Sequence, residues 1–129
     1  MRMTTRVFGW LMVLGSCGHT AGTFKGYPMM SQIFVWSLGT SLAGALLGAL
    51  HILRAGRFDD KPLAAIAGVG TAMFALVAVG FGKSIGDLAD PRVLGNFLIA
   101  AVLVISSLAT LARGGTTSVQ ASSVASAGS

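Results

Sequence analysis

Along this chain the charged residues gather in three short clusters and at the two flanks of one long body, and what lies between them is apolar, small or hydroxylic. The clusters read KGYPMMSQ, RAGRFDDKP and KSIGDLADPR, and they hold Pro28, Pro62 and Pro91. Four apolar runs remain, roughly 7–24, 33–53, 63–82 and 93–112, none of which contains Asp, Glu, Lys or Arg. Each reaches the length of about 20 residues that an α-helix needs to cross the hydrocarbon core of a bilayer. The pattern predicts an all-α fold, an integral membrane four-helix bundle that occupies residues 1–113 as one domain. Its connections are short, and a proline's missing amide does no harm there.

Within each run the small and polar residues recur at helical spacing, which draws one stripe along one face. The first stripe is Phe8, Met12, Gly15, His19, Gly22 and Gly26; the second is Ser37, Ser41, Gly44, Gly48 and His51. The third runs from Ala64 through Gly68, Thr71, Ala75 and Ala78 to Gly82, and the fourth through Asn96, Ala100, Leu103, Ser107 and Thr110. Lipid supplies little hydrophobic drive between helices, so they associate where small residues let backbones approach and where side chains hydrogen-bond. The stripes are therefore the expected packed faces. Gly15, Gly18, Gly22, Gly44 and Gly48 are the expected contact points, with Gly18-xxx-Gly22 and Gly44-xxx-Gly48 as small-xxx-small motifs.

A rise of about 1.5 Å per residue places His19 roughly 18 Å above the start of the first run. Ser37 and Ser41, descending on the second run, bracket that level, and Asn96 lies slightly above it on the fourth. His19, Ser37, Ser41 and Asn96 thus form a candidate intramembrane polar cluster. A histidine at that depth is a functional candidate, and a neutral imidazole bonded to hydroxyls and amides also serves as helix glue. His51 falls at the edge of its run beside Arg54, where an interfacial, water-reached position is expected. More than about 10 Å separates the two histidine levels, too far to share a metal or a haem.

Composition agrees with a membrane protein. Of 129 residues 53% are hydrophobic and 10% charged, with mean hydropathy +0.78, against about 25% charged in globular domains. The net charge of +5 is then topological and does not mark a nucleic-acid partner. Arg2, Arg6, Arg54, Arg57, Lys61 and Arg113 fall on one side of the predicted topology, and Lys25, Lys83 and Arg92 on the other. That bias predicts both termini in the cytoplasm, with the protein in a bacterial inner membrane. After Arg113 the residues 114–129, GGTTSVQASSVASAGS, carry no charge or aromatic ring, and a flexible tail is expected.

Other signals are weaker. LGSCGHT around Cys17 resembles a lipoprotein cleavage site, yet three further spanning runs follow instead of a soluble domain, so lipidation is not expected. VGFGKS lacks the first glycine of a phosphate-binding loop, Val77 standing there, and has no strand before it. Asp59 with Asp60 and Asp87 with Asp90 sit among lysines and arginines as loop charges. One cysteine leaves no intrachain disulfide, and no nucleophile with its base can be assembled.

The expected function is that of a non-enzymatic subunit or accessory protein of a membrane complex or homo-oligomer. Its partners would be the bilayer, copies of itself or other membrane subunits, and no catalytic residue, metal or cofactor is predicted. The alternative is a small transporter or channel with a polar path around His19. A haem-holding subunit, with His19 as axial ligand, ranks behind both.

Overall fold

The computed structural model describes residues 1–113, and the expected tail at 114–129 lies outside the described residues. Four α-helices follow one another: α1 (Arg2–Gly26), α2 (Gln32–Gly56), α3 (Lys61–Ser84) and α4 (Pro91–Ala112). Connections of four to six residues leave no room for a crossover, so consecutive helices run antiparallel.

Local chemistry explains where the helices begin. Ser31 caps α2 by accepting from the amide of Phe34 at 3.3 Å, and Asp60 caps α3 by accepting from Leu63 at 3.0 Å. Asp90 caps α4, accepting from Arg92 at 2.8 Å. Such caps satisfy amides that the first turn leaves orphaned. Pro62 and Pro91 stand in the first turns of α3 and α4, where no intrahelical donor is needed. Helix α3 stops in a Schellman arrangement. Gly86, at φ 72°, donates to Lys83, and Asp87 donates to Gly82, a geometry that glycine adopts without steric cost.

The bundle consists of two tight hairpins, α1 with α2 and α3 with α4, joined by looser seams between α1 and α4 and between α2 and α3. Small residues set the close approaches. A methyl group at Gly48 would lie 2.7 Å from the Gly9 carbonyl oxygen, and one at Gly44 would lie 2.5 Å from Ser16 Oγ. In the second hairpin a methyl at Gly68 would meet Ser107 Cβ at 2.9 Å.

The interior is the reverse of a soluble core. Thr5, Ser16, Thr23, Ser41, His51, Arg54, Thr71, Ser106, Ser107 and Thr110 are buried, while Leu42, Leu46, Leu53, Ile66, Val69 and Leu98 are each more than 60% exposed. Hydroxyls inside and leucines outside suit lipid as the surrounding medium. Three helices, α2, α3 and α4, are long and apolar enough to cross a membrane. Helix α1 has the length but is less apolar, so three of the four expected spans meet both criteria. Its second half contains Gly15, Ser16, Gly18, His19, Thr20, Gly22 and Thr23. The hydroxyls of Ser16, Thr20 and Thr23 each bond back to a carbonyl four residues earlier, at 2.9 Å.

Helix α1 also turns a different face inward. Thr5, Gly9, Met12, Ser16 and Thr23 are buried, and a methyl at Gly15, Gly18 or Gly22 would touch nothing within 4 Å. Those three glycines are thus not contact points among the described residues; Gly9 takes that place. Helices α2 to α4 bury the members Ser41, Gly44, Gly48 and His51, then Ala64, Thr71 and Gly82, then Ala100, Leu103, Ser107 and Thr110.

Candidate functional site: one open end and one closed end

At the end that carries the α1–α2 and α3–α4 connections the two hairpins part around a cavity of about 600 Å³. All four helices contribute to it. His19 comes from the second half of α1, Ser37 and Ser41 from the start of α2, Phe74 from α3 and Asn96 from the start of α4. Trp36, Phe81 and Tyr27 complete the aromatic part of the wall. Phe74 leans on α2 where Gly44 leaves space, since a methyl there would lie 3.3 Å from the ring.

His19, Ser37, Ser41 and Asn96 therefore border one space, but they do not bond to one another. Ser41 Oγ donates to the Ser37 carbonyl at 3.1 Å, and Asn96 Nδ2 donates to the Arg92 carbonyl at 2.8 Å. No hydrogen bond links the His19 imidazole to another described residue, so the expected histidine glue is absent at this level. Ser41 is buried, Ser37 half-buried, and His19 and Asn96 exposed. All four residues line the cavity.

A second groove of about 540 Å³ runs between α1 and α4. Gly15, Gly18 and Gly22 line it with Gly95, and it shares His19 and Asn96 with the cavity. The imidazole and the amide thus stand where the cavity meets a lateral opening. Arg92 borders both spaces as well, held by Asp90 through Nε at 2.9 Å and Nη2 at 2.6 Å. This pairing keeps the Asp90 carboxyl at about 2, well below the usual carboxylate range, chiefly through the Arg92 side-chain hydrogen bond.

The opposite end is packed shut. Arg54, expected among the loop charges, is fully buried, and so is His51, expected at the interface. Arg54 donates to Ser106 Oγ at 2.8 Å, to Thr110 Oγ1 at 3.0 Å and to the Ser106 carbonyl at 3.4 Å. Ser106 also bonds Thr5 Oγ1, so one guanidinium joins α2, α4 and α1. Its Nε has no partner among the described residues. One turn earlier His51 Nε2 meets Thr71 Oγ1 at 2.8 Å, which ties α2 to α3, and Nδ1 is buried with no hydrogen-bond partner among the described residues. The Phe58 ring, 4% exposed, closes the bottom with the Arg54 guanidinium 5.6 Å from its centroid.

The remaining polar candidates are occupied locally. Asp60 and Asp90 are caps, Asp87 accepts from the Ala89 amide at 2.9 Å, and Asp59 lies 3.6 Å from Arg2. Gly82, Lys83 and Ser84 belong to the last turn of α3 and form no phosphate-binding loop. Cys17 is a free, exposed thiol. No cluster of three or more His, Cys, Asp or Glu suited to a metal occurs among the described residues.

Comparison with protein-family models, with curated proteins and with solved structures finds no match. The chemistry of the two ends therefore carries the functional reading alone. An apolar chamber with a few convergent polar groups, in the usual size range of about 300–1,000 Å³, is the form of a small-molecule site. It offers aromatic surface, an imidazole, an amide and the Arg92 guanidinium at its lateral mouth and hydroxyls deeper in, with no carboxylate among its described lining residues.

Proposed function

We propose that this chain is a small, non-enzymatic transporter that takes a small amphipathic molecule into the cavity around His19 and Asn96. The observation that carries the reading is the cavity itself, built by all four helices at one end of a bundle whose other end is shut by Arg54. Division into two tight hairpins with looser seams supports it further, because alternating access proceeds by rocking one packed unit against another. In this proposal all four helices cross a bacterial inner membrane with both termini cytoplasmic, and the cavity opens on the far side.

The test is a thermal-shift screen of small amphipathic molecules on the detergent-purified chain, followed by uptake of the hits into proteoliposomes. His19→Ala and Asn96→Ala should weaken binding, and Ser41→Leu should block it by filling the chamber. If millimolar concentrations across such a panel shift nothing, or if Ser41→Leu binds like the parent, the cavity is not a ligand site.

The bare glycine face of α1 favours a second reading, a subunit that receives another membrane helix along Gly15, Gly18 and Gly22. Light scattering of the chain in mild detergent separates the two. A lone monomer that still takes ligand supports the transporter, whereas an assembly broken by Gly18→Leu supports the subunit.

A further inference from the structure

The wall of the open cavity also discriminates by charge. Among its described lining residues Arg92 alone is charged, and none is acidic. Asp90, the partner of Arg92, does not border the space, and its side chain is 13% exposed where that of Arg92 is 66% exposed. A molecule entering from this end meets the cation of the pair first. Lys25 and Lys83 stand at the same end with Arg92, against Asp87 and Asp90, so the surroundings of the mouth are positive on balance.

The guanidinium is held in place before anything binds. Asp90 accepts from Nε and Nη2, and the Phe81 centroid lies 5.7 Å from Cζ. Nη1 donates to no described residue, which leaves the end-on edge of the planar fork for a second carboxylate. A fork already ordered by its neighbours loses less freedom when it binds a carboxylate. His19 and Asn96 border the same mouth and add neutral hydrogen-bonding groups. Tyr27, Trp36, Phe74 and Phe81 line the cavity, and such rings favour edge or offset contact with another ring.

We propose that the molecule taken into this cavity is an aromatic monocarboxylate, its carboxylate on Arg92 beside His19 and Asn96 and its ring against the aromatic wall. The assignment rests on the transporter reading and names the substrate class of the same site.

The test titrates the detergent-purified chain with phenylpropionate, phenylpropionamide, phenylpropylamine and hexanoate at about pH 7.5, where both acids are ionised and the amine protonated. Tryptophan fluorescence reports occupancy through Trp36 in the wall, and the blocked variant Ser41→Leu is the blank for partition into detergent. The phenyl acid should bind about fivefold tighter than its amide, and the amine more weakly than either. Hexanoate, of similar apolarity without a ring, should bind about threefold more weakly than the phenyl acid. Arg92→Gln should bring acid and amide level. Asp90→Asn keeps a capping side chain at the start of α4 and releases the other edge of the fork, so it should tighten the acid about threefold. Both variants break the same ion pair, and a purely structural role for the pair would move affinity the same way in each. If the amide or the amine matches the acid, if hexanoate matches the phenyl acid, or if the two variants act alike, the substrate class is overturned while the cavity stands as a ligand site. No saturable response to any of the four compounds beyond the Ser41→Leu blank overturns the class and counts against the cavity reading itself.

Discussion

The two ends of this bundle are made of the same kinds of residue and do opposite things. Both contain a histidine, serines and an arginine. At the Arg54 end Thr5, Thr71, Ser106 and Thr110 reach a neighbouring helix or an arginine, Ser107 alone among these buried hydroxyls bonding only to its own helix, and the end is shut. At the His19 end the hydroxyl of Ser41 and the amide of Asn96 turn back to carbonyls of their own helices, and the helices stand apart. What separates a structural polar cluster from a receptive one is thus where the hydrogen bonds go, since residue composition is shared.

The contrast is broken most severely by Arg54→Ala, which empties a fully buried site and unties three helices. A loss of about 3 kcal/mol is expected in denaturant titration of the detergent-solubilised chain. Arg54→Met fills the same space without a charge to desolvate and should match or exceed the parent in the same titration. A methionine variant as weak as the alanine one would mean that the hydrogen bonds, and not the volume, hold this end together.

Next comes a pair of glycines. Gly48→Ala drives a methyl against the Gly9 carbonyl and the Val13 backbone amide, and should cost about 2 kcal/mol by chemical denaturation. Gly18→Ala, in the glycine groove, meets no described residue within 4 Å and should stabilise α1 by about 0.5–1 kcal/mol through helix propensity. Similar losses from both would contradict the tight and open halves described.

Smaller still is the expected effect of His19→Ala on stability, within about 0.5 kcal/mol, because the side chain is exposed and makes no hydrogen bond to a described residue. A large drop in the unfolding midpoint would reveal a structural role and weaken the ligand reading. Smallest is an acid limb from Asp90. Its folded pKa lies below the ordinary carboxylate value, so its contribution is complete above about pH 4 and is lost as pH falls through about 2. Thermal scans from pH 8 to pH 5 should show no step from this group, and Asp90→Asn should remove the one that appears below pH 4.

The helical segments were readable in the sequence because charge and proline gather in the connections, and the inward faces of α2 to α4 follow their small-residue stripes. Helix α1 was not, for a definable reason. Gly15, His19 and Gly22 form one stripe, and Ser16, Thr20 and Thr23 form another one residue further round. Both consist of small or polar residues, so spacing alone cannot choose between them. The four cavity residues were nominated by depth along their helices, a local quantity. Positions at the end of an apolar run suggest an interfacial His51 and a loop-side Arg54. Their burial depends on Ser106, Thr110 and Thr71, residues 52, 56 and 20 positions away, and no local pattern carries that information.

The back-bonded hydroxyls of α1 also bear on biogenesis. Ser16, Thr20 and Thr23 bond back to their own helix, which lowers the cost of placing these polar atoms in lipid, in the least apolar of the four helices. Its closest packing is against α2, the next segment to leave the ribosome. The two should therefore integrate as one hairpin, with α1 held at the translocon until α2 has been made. A glycosylation-reporter chain truncated before Gln32 should fail to integrate, and one extended through Gly56 should succeed.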